Sequence, residues 1–60
     1  MKVIELIDYY AGDIVSIREN GKALYIGTTD NIPYKFIRRE IIGFNLGDVD
    51  EHLTGMVIGI

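Results

Sequence analysis

Val3, Leu6, Ile7 and Tyr10 repeat at the spacing of one helix face, while Lys2, Glu5 and Asp8 fall on the other side. The pattern predicts a short amphipathic helix, with Gly12 placed to end it in a left-handed conformation. A helix this short does not hold together alone in water, so its apolar stripe needs a surface to pack on.

The following residues predict that surface, because the apolar period drops to two. Residues 13–18 put Val15 and Ile17 on one face and Ser16 and Arg18 on the other. Residues 23–27 set Leu24 and Ile26 together, with Tyr25 opposite them. Between the two strands, Asn20-Gly21 tolerates the positive φ angles of a type I′ turn, so they form a hairpin. Two further strands are predicted. In 40–46, Ile42, Phe44 and Leu46 alternate with Ile41, Gly43 and Asn45, and in 53–60, Met56, Ile58 and Ile60 share a face. The polar residues 47–52 read as a solvated turn.

Between the second and third strands lies TTDNIPYKFIRRE, with the only proline of the chain. Pro33 moves Ile32 out of the helical region and pre-sets a first helical turn, and Asp30 and Asn31 stand where short polar side chains cap free N–H groups. Phe36 and Ile37 then turn inward with Ile32, leaving Lys35, Arg38 and Arg39 near the C-terminal end, where the helix dipole favours cations. The expected fold is therefore α+β, a single domain over residues 1–60. A short N-terminal helix packs on a four-stranded antiparallel sheet, with a short helical turn between the second and third strands.

Size changes this picture. A chain of 60 residues buries only about 60% of the surface its unfolded form exposes. Domains of this size add disulfides, a metal or a partner subunit, and the absence of cysteine leaves oligomerisation as the leading supplement. A hydrophobic content of 48% and a mean hydropathy of +0.19 agree with apolar surface left over on the isolated chain. The net charge of −3 opposes broad attraction to nucleic acid or anionic lipid. With no signal-peptide pattern and no apolar run of membrane-spanning length, a cytoplasmic protein without a membrane partner is expected.

Catalytic groups are scarce. Ser16 is the only serine and His52 the only histidine, so no triad can be assembled, and Gly43, Gly47, Gly55 and Gly59 lack nucleotide-binding spacing. Neither an enzyme nor a cofactor is expected. Asp48, Asp50, Glu51 and His52 cluster hard ligands in five residues and so raise a metal-dependent alternative. Leu53, however, stands where a calcium loop counted from Asp48 needs glycine. A second alternative is nucleic-acid binding, with Lys35, Arg38 and Arg39 meeting phosphates and Tyr34 stacking on a base.

The segment LTGMVIGI has no charged side chain. Natural edge strands are blunted by lysine, proline or bulges, so this strand is either central in the sheet or covered by a partner. Its second face carries Leu53 and Val57 beside Gly55 and Gly59. Pairing of this strand with its own copy, or packing of Ile41, Leu53 and Val57 on a partner, would bury the surplus, and Tyr9 and Tyr25 offer an apolar ring with a polar tip.

With MKVIELIDYY, ENGKALYIG and DNIPYKFI in succession, most of the chain resembles short orphan proteins carried by phages and prophages, built from a small helix, an Asn-Gly hairpin, an Ile-Pro corner and a final hairpin. The resemblance implies phage company and, by extension, an inhibitor that binds a host enzyme or an antiviral defence complex. It carries over no site residue. The function expected from the sequence is a non-catalytic protein-interaction module that forms a homodimer and engages a further protein.

Overall fold

Asn20 and Gly21 both adopt positive φ, 55° and 79°, and the turn they form joins β1 (Ile14–Glu19) to β2 (Lys22–Thr28) as an antiparallel hairpin. The computed structural model describes residues 1–60, and in it a second hairpin joins β3 (Gly43–Asp50) to β4 (Leu53–Gly59). Helix α1 (Val3–Tyr9) precedes the first hairpin, and a 3-10 turn (Thr29–Asn31) and helix α2 (Tyr34–Ile37) connect the two.

The α+β class, the leading helix, the four strands and the helical connection follow the sequence expectation. The purely antiparallel sheet does not. The strand order is β2-β1-β4-β3, and the central neighbours β1 and β4 run parallel, Val15 beside Met56 and Ile17 beside Ile58. Each hairpin is closed by a local turn, but the contact between hairpins is made by their two most apolar strands, which local patterning does not orient. Val15, Ile17, Met56 and Ile58, the core-side residues of this parallel pair, are all buried.

These four join Val3 and Leu6 from α1, Phe36 from α2, and Ile32 and Ile60 in one core cluster. The helices lie on this side of the sheet only. The stripe Val3, Leu6, Ile7 and Tyr10 thus meets the surface it required, with Ile7 and Tyr10 packed at the edge of the cluster. Glu5 reaches back to accept the Lys2 N–H at 2.7 Å, one half of a capping box. The Val3 N–H donates to the Arg39 carbonyl and the Ile41 N–H to that of Met1, each at 2.9 Å, so the start of α1 is tied to the end of the α2 corner.

Gly12 does not end the helix in a left-handed turn; the only positive φ angles are at Asn20 and Gly21, and Tyr10 leaves the helix in extended geometry. Gly12 instead makes room for the Tyr10 ring, since a Cβ on it would overlap the hydroxyl end of that tyrosine. The same device recurs at Tyr25 and Gly27. The two hydroxyls donate to the carbonyls of Ile14 (2.9 Å) and Thr28 (2.6 Å), which are cross-strand partners, so one tyrosine clamps each end of the same pair. Tyr25→Phe is expected to cost about 1 kcal/mol, read as a lower urea midpoint at unchanged slope. An unchanged midpoint would show that the clamp contributes nothing.

Asp30 and Asn31 do not cap α2. They form the preceding 3-10 turn, where Asn31 Nδ2 donates to Thr28 Oγ1 at 3.3 Å. The polar turn shrinks to Glu51 and His52, because β3 continues to Asp50, and the third strand begins at Gly43 rather than at 40, with Glu40 in an isolated bridge to Lys2 and its carboxylate 3.1 Å from the N-terminal ammonium.

Candidate interaction surface

A single unpaired residue decides which side of β2 faces the core. Lys22 pairs with Glu19 and Ala23 with Arg18, as the two-residue turn demands, but Tyr25 rather than Leu24 pairs with Ile17. Leu24 is the extra residue of a β-bulge, and one extra residue exchanges the two faces of everything beyond it. Tyr25 and Gly27 therefore turn toward the helices, while Leu24 and Ile26, expected in the core, are 38% and 42% exposed. Tyr25, expected on the surface, is half-buried against the core cluster.

The face turned away from the helices is consequently open, with Leu24, Ile26 and Val57 among its apolar groups beside the polar Arg18, Ser16 and Asn45. Across its middle run Ile26, Ser16, Val57 and Asn45, each paired with the next. Ser16 is wholly buried under its neighbours, and its Oγ accepts from Arg18 Nε at 3.3 Å. On the β3–β4 half, Gly43, Gly47, Gly55 and Gly59 surround Val57 and Asn45, so that half is a nearly flat floor. Leu53 belongs to the same face by alternation and is partly exposed. At the end of the sheet a shallow depression of about 380 Å³ opens between Tyr10, Ile14, Leu46 and Gly55.

The interface residues expected from the sequence do not share one surface. Val57 and Leu53 are on the open face, Ile41 and Tyr25 pack against the core on the helix side, and Tyr9 projects from α1. Pairing of β4 with its own copy is closed off, because β1 and β3 occupy both of its edges. Leu24 and Ile26 escaped the sequence reading. The available signal was the Tyr-x-Gly spacing of Tyr25 and Gly27, which sets a ring over a glycine on one side of the strand.

The basic corner is divided among separate contacts. Arg39 Nη2 lies 2.8 Å from Glu19 Oε2, Arg38 Nη1 donates to the Tyr34 hydroxyl at 3.3 Å, and the Lys35 ammonium stands 5.2 Å from the centre of the Phe36 ring. With Arg39 neutralised by Glu19, Lys35 and Arg38 are the cations left beside Tyr34, and two charges give only a shallow salt-dependent attraction to phosphates. Asp48, Asp50, Glu51 and His52 do not converge: no three carboxylate or imidazole groups come together to hold an ion, and His52 approaches only Glu51, at 4.0 Å. Ser16 is sealed in the sheet and His52 lies in the exposed β3–β4 turn, so they form no nucleophile–base pair.

No helix is long and apolar enough to cross a membrane. Comparison with known proteins finds no matching family model, no similar curated protein and no similar solved structure.

Proposed function

We propose that the protein is a non-catalytic, homodimeric protein-interaction module that engages a protein partner on the open face of its sheet. The observation that carries this reading is the bulge at Leu24. It gives the core-side position to Tyr25 and turns Leu24 and Ile26 onto the same face as Val57, where they stay 38% and 42% exposed. A flat glycine floor flanked by aliphatic side chains suits another protein's apolar surface, which can approach the backbone closely. A phage-encoded inhibitor that occupies a host or antiviral-defence protein would work in this way, by covering a surface rather than by chemistry.

The test is the pair Leu24→Lys and Ile26→Lys. Leu24 and Ile26 are 38% and 42% exposed, and a lysine at either position lays its stem along the face with its ammonium in water, so each change costs less than truncating a core residue. The double variant should fold normally and lose a protein that co-purifies with the wild type from the native cell, whereas Lys35→Glu/Arg38→Glu retains it. Retention by the first variant and loss by the second would move the binding site to the basic corner.

A further inference from the structure

The outer edge of β3 is the one long backbone edge that nothing blunts. The sheet has two free edges, and β2 carries Lys22 and the bulge at Leu24, both of which discourage strand addition. Along β3 the residues Gly43-Phe44-Asn45-Leu46-Gly47 contain neither a charge nor a proline, and the strand's own bulge comes only beyond Asp48. Phe44 is 54% exposed and Leu46 71%, on the helix side of the sheet but beyond the helices' cover.

Two features of this stretch are not required by the isolated chain. A Cβ on Gly43 or Gly47 would meet nothing within 4 Å, so neither glycine is there for internal packing. Glycine inside a strand weakens it and commonly marks the close approach of another backbone. The stretch also reads nearly the same in both directions about Asn45, as glycine, aromatic or aliphatic, asparagine, aliphatic, glycine. This property suits a two-fold antiparallel pairing, in which symmetry places like beside like along the stretch.

We infer that β3 pairs with β3 of a second copy of this chain, antiparallel and centred on Asn45, to give a continuous eight-stranded sheet. The inference rests on the homodimer of the proposed function and names its surface. In this register Phe44 faces the second copy's Leu46 and Leu46 its Phe44, an aromatic–aliphatic cross-strand pair made twice. Gly43 faces Gly47, Asn45 faces Asn45, and Asp48 faces Ile42, so no like charges are opposed. The bulge beyond Asp48 ends the ladder at each end. The two glycine floors then become one, and the open faces of both copies lie on the same side.

Asn45→Cys tests the register directly, since the chain has no other cysteine. Residues directly opposite across an antiparallel pair have Cα atoms about 4.5–5.5 Å apart, within the usual disulfide span of about 4.4–6.8 Å. Phe44 stands diagonal to its own copy at about 7–8 Å, which a disulfide does not bridge. Under mild oxidation Asn45→Cys should run as a covalent dimer and Phe44→Cys as a monomer. The wild type should show dimer mass by light scattering, and Leu46→Lys monomer mass with an unchanged circular dichroism spectrum. A dimer that survives Leu46→Lys while Asn45→Cys stays uncross-linked overturns the β3 pairing but leaves the interaction module standing, with its dimer made elsewhere. Preferential cross-linking of Phe44→Cys overturns the register. A wild-type monomer at all concentrations overturns the pairing and the homodimer together, while the Leu24/Ile26 face is judged by its own variant.

Discussion

Gly55→Ala is expected to abolish the cooperative unfolding transition, leaving a chain largely unfolded at room temperature. At Gly55 a Cβ would overlap the carbonyl oxygen of Ile14 on the neighbouring strand β1. The obstacle is backbone, so no rotamer change relieves it, and β1 and β4 are each paired on both sides, so neither can retreat without opening a second ladder. Overpacking costs about 1–3 kcal/mol even where side chains yield, whereas a domain of this length has roughly 3–9 kcal/mol in all. Urea titration followed by circular dichroism reads the result directly. Gly59→Ala on the same strand is the control, because its Cβ would meet only the Gly43 carbonyl oxygen at 3.7 Å, an ordinary contact. Equal stability of the two variants would show that β4 does not approach β1 at this point, and the parallel register would be wrong.

Ile17→Ala should come close in effect. Ile17 is fully buried at the centre of the sheet, paired with Ile58 on one side and Tyr25 on the other. Truncating a buried isoleucine to alanine removes about 2–5 kcal/mol through lost transfer energy and the cavity left behind. In a larger protein that is a small fraction of the total, but here it is about half of it. Ile42→Ala, at a site 86% exposed, should leave the midpoint almost where it was. A loss below about 1 kcal/mol at Ile17 would mean that the core collapses around the gap, and that its packing is looser than full burial implies.

The parts of this fold that are legible in the sequence are those decided locally. Asn20-Gly21 demands its turn, the spacing of Val3, Leu6 and Ile7 demands a helix, and Met56, Ile58 and Ile60 alternate into the core as their pattern predicts. Hairpin logic alone makes every pairing antiparallel. It says nothing of how two hairpins meet, and so it misses the parallel contact of Val15 with Met56. The candidate surface was only half legible for a related reason. Val57 and Leu53 are visible as a second apolar face on β4, but Leu24 and Ile26 change sides through one unpaired residue. A period-two reading carries such a slip forward without any sign of error. Gly12 and Gly27 were legible as glycines but not in purpose, since the rings that need their space stand two residues earlier.

The parallel seam between β1 and β4 also sets the order of events when the chain folds. Val15 meets Met56 only after a loop of roughly 40 residues has closed. The Ile60 N–H completes the seam by donating to the Arg18 carbonyl at 2.8 Å. Each hairpin closes through its own turn but is at best marginally stable alone, and neither has a core until the other arrives, so the non-local docking of the two hairpins is expected to limit the folding rate. Until that docking the strands Ile14–Glu19 and Leu53–Gly59 stand with an unpaired edge beside their most apolar side chains. The interval before closure is thus the chain's period of greatest exposure to misassociation, and it shortens with whatever holds the two hairpins near each other, beginning with the α2 corner that joins them.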